Sequence, residues 1–463
     1  MRWRSITLEY AVFWTTIAFS TSRRSIIRCA RLFLRRSKAA MLSVHIWDAG
    51  STGDLETAQA SRKLLELIVS QTHRILSCEL SSTSPEFWRY WIHPAPNLRR
   101  LVTKGQGPEI PPIFNEEIPR LETFTTHYYV PWPLGVYASL REVDLWNNNQ
   151  TVTLLSLLDG LRGCKNLERL TLHGYTCLDR GGPPPATVSL PCLRQLDIFS
   201  SDSALILEHL DAPSLTGPVI IFDTNPHHHI LSSLPRTQFN PPYLQGITKL
   251  HVVLNTRSAQ HYVAGFREDG GTAFYFGACG IGHWLRWSWV RTSIEAVAAC
   301  AHFFQIGSLV FATDTPDVPW DLWLPNLDCV GELTIACPQS EALLAALIVH
   351  PPPNESPLCP SLHSIALQRC GRYAAVDHAH LMSLVLSRYR AERPIRRIKL
   401  QKDEWDRIQQ LNGSWRRLVR SQSTYVVFWG GTNLTDNRKG INGDIALLGL
   451  VSELGLEGVG EIF

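Results

Sequence analysis

The chain has 463 residues, long enough to bury a sizeable core in one large domain or in two to three ordinary ones. Hydrophobic residues make up 44% and charged residues 18%, which excludes a disordered chain, since disorder needs high charge and few apolar side chains. The net charge of +3 is too small to argue for nucleic acid, and the 11 cysteines contain no C-x-x-C pair, so neither a disulfide framework nor a structural zinc site is indicated.

Scattered, reduced thiols fit a cytoplasmic or nuclear protein, which is the expected location. Residues 1–40 hold eight Arg and one Lys against the single acid Glu9, a composition that superficially resembles a mitochondrial transit peptide. The apolar stretch from Ala11 to Phe19 is too short to span a bilayer and no other segment looks membrane-spanning, so no membrane partner is expected. The run Arg23, Arg24, Arg28, Arg31, Arg35 and Arg36 is read as a solvated helix face, and no nucleic-acid partner is expected.

From residue 98 onward a Leu-x-x-Leu-x-Leu unit recurs. It reads Leu98-Arg99-Arg100-Leu101, Leu121-Glu122-Thr123-Phe124, Leu140-Arg141-Glu142-Val143-Asp144-Leu145, Leu167-Glu168-Arg169-Leu170-Thr171-Leu172 and Leu193-Arg194-Gln195-Leu196-Asp197-Ile198. The starting positions lie 23, 19, 27 and 26 residues apart, around the leucine-rich-repeat period of about 20–29. Looser copies end in Leu250-His251-Val252, Leu309-Val310-Phe311, Leu333-Thr334-Ile335, Ile365-Ala366-Leu367 and Ile398-Lys399-Leu400. Each unit predicts a short strand with one apolar face, which it cannot bury alone; stacking the next unit beside it buries that face.

Helical spacing lies between the strands. Ala60, Leu64, Leu67 and Ile68 share a face, as do Leu154, Leu157, Leu158 and Leu161, and Leu381, Leu384 and Val385. Residues 294–303 and 340–349 are apolar and helix-compatible. Strands alternating with helices at a repeating period predict an α/β fold, an irregular leucine-rich-repeat solenoid with parallel strands. The competing reading is an ordinary α/β domain whose leucines fill one core. Gly181–Pro185, Asn240–Pro242 and Pro351–Asn354 read as loops, 255–293 as an insertion, and 411–463 as a poorly ordered tail.

Several phrases, in this order, resemble the basidiomycete F-box proteins with degenerate leucine-rich repeats. Arg2-Trp3-Arg4-Ser5-Ile6-Thr7-Leu8 resembles the last F-box helix, and Phe13-Trp14-Thr15-Thr16-Ile17 the Leu-Trp-x-x-Ile after it. Leu34 to Val44 resembles the phrase Leu-x-Arg-Ser-x-x-x-Pro-Leu-x-Val, with Met41 in place of Pro. Leu64 to Ile75 is similar to the first repeat helix, and Leu207 to Leu215 to a later family phrase. The resemblance covers roughly residues 1–400. It implies residues 1–20 as an F-box remnant, 21–56 as a linker and 57–410 as the solenoid. Its family activity is recruitment of a protein substrate to a cullin–RING ubiquitin ligase through a Skp-family adaptor. Trp3, Ile6 and Leu8 are the adaptor-binding remnant. The Leu-Pro-x-Glu phrase and two further helices of a full F-box do not occur here, so adaptor and cullin are expected as partners only if the F-box is completed upstream.

Successive strands place alternate residues in rows on one exposed face. Glu142, Arg169 and Gln195 are expected in one row, Asp144, Thr171 and Asp197 in the next, and Trp146, His173 and Phe199 in the third. An aromatic row beside mixed charges suits a partner protein; the competing reading turns that row into the core. His227-His228-His229 cannot all face one ion from a strand. The Gly277-Ala278-Cys279-Gly280-Ile281-Gly282 segment lacks the order and the Lys-Ser/Thr of a phosphate loop. No metal, no cofactor and no catalytic residue is therefore expected. The leading reading is a substrate-receptor scaffold for an unknown protein partner. The second is a stand-alone repeat scaffold or inactive remnant, and an enzyme grafted on 255–293 ranks last.

Overall fold

A computed structural model describes residues 10–20, 26–48, 55–105, 113–127, 138–146, 151–177, 186–200, 202–223, 246–255, 260–279, 306–313, 318, 320, 324–337, 340–348, 358–369, 377–401 and 425–429. The chain divides into two units, Met1–Thr216 and Gly217–Phe463. It is mixed α/β, with long runs of parallel strands and few helices.

In the first unit the main strands are β1 (Thr16–Ser20), β2 (Leu42–Trp47), β3 (Ile75–Ser82), β4 (Arg100–Gly105), β5 (Thr123–Thr126), β6 (Glu142–Trp146), β8 (Arg169–His173) and β11 (Gln195–Phe199). Each pairs in parallel with the next of these, so spatial order follows chain order. Two short parallel pairs stand apart from them: β7 (Thr151–Val152) with β9 (Thr176–Cys177), and β10 (Val188–Ser189) with β12 (Leu210–Asp211).

The apolar alternation explains the core. Leu98, Leu121, Leu140, Leu167 and Leu193 are fully buried just before their strands, and Leu101, Phe124, Val143, Leu170 and Leu196 are buried in register one step on. Backbone bonds of one kind tie each strand's start to the one before: Arg99 N–H to Leu76 O, Glu122 to Arg99, Arg141 to Glu122, Glu168 to Arg141 and Arg194 to Glu168. The Asn97 and Asn166 amides extend the pattern, donating to His73 O and Ala138 O of the preceding turn of chain.

Helix α1 (Ile26–Arg36) buries Ile26 and Ala30, and Trp14 packs edge-on against its Phe33 at 5.0 Å. Arg28, Arg31 and Arg35 lie on its solvent side, while Arg36 covers the Trp14 ring at 4.5 Å. Helix α2 (Leu55–Val69) buries Leu64 and Ile68, two of the four residues expected on its inner face. After the single turn α3 (Pro85–Trp88), an aromatic cluster of Phe87, Trp88, Trp91 and Phe114 fills the space beside β3 and β4. Helix α4 (Leu154–Arg162) is capped by Thr153 Oγ1, which accepts from the Ser156 N–H, and buries all four leucines that its spacing predicts. The short α5 (Ser203–Glu208) follows β11.

Two expected segments hold order of another kind. The expected F-box remnant 1–20 ends in strand β1, and the expected linker 21–56 contains α1 and β2. The reason is a period-two pattern: Ile17 alternates with exposed neighbours, and Leu42, Val44 and Ile46 are fully buried on one face. Trp3, Ile6 and Leu8 lie outside the described residues.

The second unit contains β13 (Val219–Asp223), β14 (Ile247–Asn255), β15 (Gln260–Arg267), β16 (Thr272–Cys279), β17 (Ser308–Thr313), β18 (Glu332–Cys337), β19 (Ser364–Arg369), β20 (Arg397–Gln401) and β21 (Tyr425–Trp429). From β14 the sheet runs in parallel through β17, β18, β19 and β20 to β21. Leu250, Leu309, Leu333, Ile365 and Ile398 form its buried row, as the looser copies predict. The same start-of-strand bonds recur, from Gly307 to Thr248, Gly331 to Gly307, His363 to Gly331 and Arg396 to His363.

The expected insertion is an antiparallel excursion, β14–β15–β16, after which β16 pairs in parallel with β13. Gly265 is required there, because a Cβ would come within 2.4 Å of the Phe274 ring. Residues 280–293 and the helix expected at 294–303 lie outside the described residues. The expected tail contains a strand: Tyr425–Trp429 extends the sheet beside β20, an order that the Gly- and Asn-rich sequence around it conceals.

Helices α6 (Glu341–Leu347) and α7 (His378–Arg390) cover this sheet with Leu343, Leu344, Leu347, Leu381, Leu384 and Val385. The Asp377 carboxylate caps α7 by accepting from the Ala379 and His380 N–H groups.

One device appears in both units. Arg74, 6% exposed, donates to Leu34 O, Lys38 O, Ala40 O and Ser37 Oγ at the end of α1. Arg388, fully buried on α7, donates to Leu347 O at the end of α6 and to Cys359 O and Leu358 O. The last carbonyls of a helix lack intrahelical donors, and one planar guanidinium satisfies several at once.

Arg388→Met should therefore lower the urea midpoint of the intact chain. Each buried carbonyl left unsatisfied costs about 1–3 kcal/mol. Arg388→Lys should recover only part of the loss, because an ammonium group does not span all three oxygens. An Arg388→Met midpoint equal to the parent's would show that the clamp contributes nothing.

Candidate functional site

Strands β6, β8 and β11 turn Val143, Leu145, Leu170, Leu172, Leu196 and Ile198 inward, all at most 1% exposed. The alternate residues therefore face outward, and the parallel register aligns them. Glu142 pairs with Arg169 and Arg169 with Gln195; Asp144 with Thr171 and Thr171 with Asp197; Trp146 with His173 and His173 with Phe199. These are the three rows expected from the repeat spacing.

The third row is a ladder of stacked rings. Trp146 and His173 have centroids 3.7 Å apart at 16°, and His173 and Phe199 4.5 Å apart at 6°. His127 extends the ladder, 5.1 Å from Trp146 at 18°. The spacing comes from the backbone, since neighbouring strands lie about 4.8 Å apart and present like-placed rings face to face. Trp146 and Phe199 are half-buried, so the row neither enters the core nor stands free of the surface.

The middle row holds two carboxylates, Asp197 buried and Asp144 half-buried. The Asp197 side chain is 7% exposed, with Oδ2 accepting from Gln195 Nε2 at 3.1 Å and from Thr171 Oγ1 at 3.5 Å. The Arg169 guanidinium reaches within 3.6 Å of the same oxygen from a half-exposed position. Asp144 lies beside His173, with Oδ1 3.7 Å from Nε2, too far for a hydrogen bond. Among the described residues, Oδ1 of Asp144 and Oδ1 of Asp197 are buried without a hydrogen-bond partner.

Burial sets the titration of this face. It pushes both aspartic acids up from their ordinary value, against a hydrogen bond from Trp146 and the charge of Arg169 on Asp144, and against the charge of Arg169 and its polar neighbours on Asp197. It pushes His173 down to about 4, and the nearby charge of His127 adds to this. Burial likewise lowers His127, followed by the charge of Lys104. His173 is thus a neutral ring at neutral pH, and its approach to Asp144 is not an ion pair despite the distance.

The sequence reading missed His127 and a neighbouring polar group. His127 stands six residues after Leu121, the offset at which Trp146, His173 and Phe199 follow Leu140, Leu167 and Leu193, so the repeat phase itself locates it. Lys104 stands six after Leu98 and donates to Glu79 Oε1 at 3.0 Å, while His45 Nδ1 lies 3.0 Å from Glu79 Oε2. Burial alone would raise the Glu79 carboxyl, but these two bonds outweigh it and hold it low. No sequence spacing announces that group, because its three residues come from β2, β3 and β4.

Among the described residues no group of three or more His, Cys, Asp or Glu is placed to hold a metal ion. His227 to His229 lie outside the described residues, as do Gly280 to Gly282, while Gly277 to Cys279 lie on β16. Among the described residues no helix is long and apolar enough to cross a membrane. Cys78, Cys164 and Cys359 are free and buried, and burial pushes each thiol up, away from the reactive thiolate.

The depressed His173 makes stability depend on pH with a definite sign. Between its ordinary value of 6.5 and about 4, the unfolded chain binds a proton that the folded chain refuses. Its contribution is full above 6.5 and is lost as pH falls through that window, by at most roughly 3 kcal/mol at the acid limit. The raised aspartic acids act oppositely, since their folded forms hold protons the unfolded chain has released. His173→Gln should therefore lose less stability than the parent between pH 7 and pH 4.5, measured by urea midpoints. An unchanged slope would mean that His173 does not titrate as its burial implies. No family model, no curated protein and no solved structure matches the chain.

Proposed function

We propose that the protein is a protein–protein interaction scaffold, an irregular leucine-rich-repeat solenoid whose exposed strand face receives a protein partner. The observation that carries this reading is the set of in-register rows on β6, β8 and β11, with a ring ladder beside the carboxylates of Asp144 and Asp197. Large aromatic anchors flanked by polar groups dominate binding energy at protein interfaces. In the first unit, strand order that follows chain order, with start-to-start spacing near the leucine-rich-repeat period, supports the solenoid. The reading assigns the face no catalysis and no cofactor.

By its resemblance to F-box proteins, the scaffold is a substrate-recognition subunit of a cullin–RING ubiquitin ligase. A second reading, a stand-alone scaffold with no ligase link, is favoured by one observation: residues 16–20 and 42–47 are strands of the sheet, with one helix, 26–36, between them.

Two measurements test these readings. Trp146→Ala with His173→Ala should reduce capture of the partner by the tagged full chain roughly tenfold or more, as for other aromatic anchors, while the melting curve stays cooperative. Capture that does not change would remove this face from the interface. For the ligase link, a purified Skp-family adaptor is the probe. The F-box segment that would grip it, with its Leu-Pro-x-Glu phrase, does not occur in these 463 residues. The chain as given should bind weakly, and a version preceded by an intact F-box tightly. No binding by either favours the stand-alone scaffold.

A further inference from the structure

The stretch from Tyr10 to Trp47 holds six arginines and one lysine and no aspartate or glutamate. It supplies β1, α1 and β2. Arg28, Arg31 and Arg35 lie on the solvent side of α1, and Arg36 covers Trp14, two residues before β1. A basic helix face is ordinarily balanced by acids nearby in the chain, and this one has none in its own strand–helix–strand unit.

Strand β1 stands at the start of the parallel run. Among the described residues it pairs with β2 alone. The Ser43 N–H donates to Thr15 O, which sets the phase of the ladder: Thr15, Ile17 and Phe19 turn their backbone groups to β2, and Thr16 and Ala18 turn theirs to the opposite side. Edge strands are usually guarded by a charge, a proline or a bulge. Thr16-Ile17-Ala18-Phe19-Ser20 has no charge and no proline, and its register with β2 is unbroken. Just ahead of it, Val12 and Phe13 of the single turn Ala11–Trp14 are 67% and 56% exposed, and Tyr10 beside them 59%. Clustered apolar exposure next to an unguarded strand edge is what strand addition uses, main-chain bonds giving affinity and side chains giving specificity.

We propose that the side of β1 away from β2 takes an extended, acidic segment of a partner protein as an added strand, a contact separate from the ring ladder of β6, β8 and β11. The backbone groups of Thr16 and Ala18 bond the added strand. Tyr10, Val12 and Phe13 receive its apolar side chains, and the arginines of α1 attract its acids. A second copy of this chain suits the edge less well, because it would set one acid-free basic segment against another. Nucleic acid suits the charge, but it makes no use of strand backbone groups or of exposed aliphatic side chains.

The test follows fluorescence anisotropy of labelled, blocked peptides on the full chain. The probes are Glu-Thr-Val-Thr-Val-Thr-Glu, the same peptide with lysine in place of both glutamates, and the acidic peptide with its central Thr-Val replaced by Pro-Pro, which removes a donor from each of its edges. The acidic peptide should bind saturably, and hydrogen exchange should slow within residues 16–20. The lysine and Pro-Pro peptides should bind roughly tenfold more weakly or worse. Ala18→Pro should abolish binding while the chain stays folded, since the N–H it removes faces away from β2 and proline is tolerated at such edge positions. Arg28→Glu with Arg35→Glu, both exposed, should reverse the preference in favour of the lysine peptide. No saturable binding of the acidic peptide, equal binding of the acidic and lysine peptides, or binding unchanged in Ala18→Pro would overturn the proposal. So would an oligouridine that binds more tightly than the acidic peptide and equally to the parent and Ala18→Pro, which would give the arginines to nucleic acid. A concentration-dependent dimer in sedimentation that Ala18→Pro abolishes would put a second copy on the edge and reject the acidic partner.

Discussion

Everything described here depends on one constraint, the in-register parallel hydrogen-bond ladder. A strand such as Arg169–His173 has one apolar face and cannot bury it alone; it acquires a core only by lying beside its predecessor and receiving its successor. A slip of one residue would turn Leu170 and Leu172 to water and bring Arg169, Thr171 and His173 inside. The buried rows therefore fix the register, and the register fixes the outer rows. The repeated backbone bonds at the strand starts hold that alignment from Leu76 to Arg194 in one unit and from Thr248 to Arg396 in the other.

Connections of unequal length between the strands leave polar groups that a regular ladder would not. Loops and short helices of different length end at different heights, and their last carbonyls point into the protein. Arg74 and Arg388 answer this in the same way, each from a segment roughly 40 residues farther along the chain than the helix end it closes. The surface pairs Arg99–Glu122 and Arg141–Glu168 also link successive strand starts, but they are half-exposed and such pairs contribute little. The buried guanidiniums matter more because removing them strands several acceptors at once.

The outer face runs against the economy of the core. It stacks the neutral imidazole of His173 between an indole and a phenyl ring, and keeps Asp197 almost wholly out of water with one of its oxygens unpartnered among the described residues. Nothing in the sheet requires the aspartic acids, since the small polar residues Thr125 and Thr171 occupy the same outer row on β5 and β8. Departures of this kind from local stability collect where a protein meets something else. That is the physical ground for the interaction reading, and it is independent of any resemblance.

The sequence by itself determined the strands and their inner faces. A Leu-x-x-Leu-x-Leu unit carries both the period-two alternation and the spacing of the next unit, so Leu170, Leu196, Leu333 and Ile398 were legible as core before any fold was known. The outer rows were legible for the same reason, His127 included, because a fixed offset within each unit becomes a fixed place on the face. Segments 16–47 and 425–429 were hidden. Each holds one strand or two without a neighbouring copy in phase, and such a strand looks like linker or tail until a partner strand binds it. The tertiary structure alone decided the polar contacts: which helix end Arg74 and Arg388 would close, that Glu79 would meet His45 and Lys104, and that Asp144 and Asp197 would lean toward one strand. Long polar side chains choose partners by distance in space and by how much water burial removes, and neither quantity is written in the spacing along the chain.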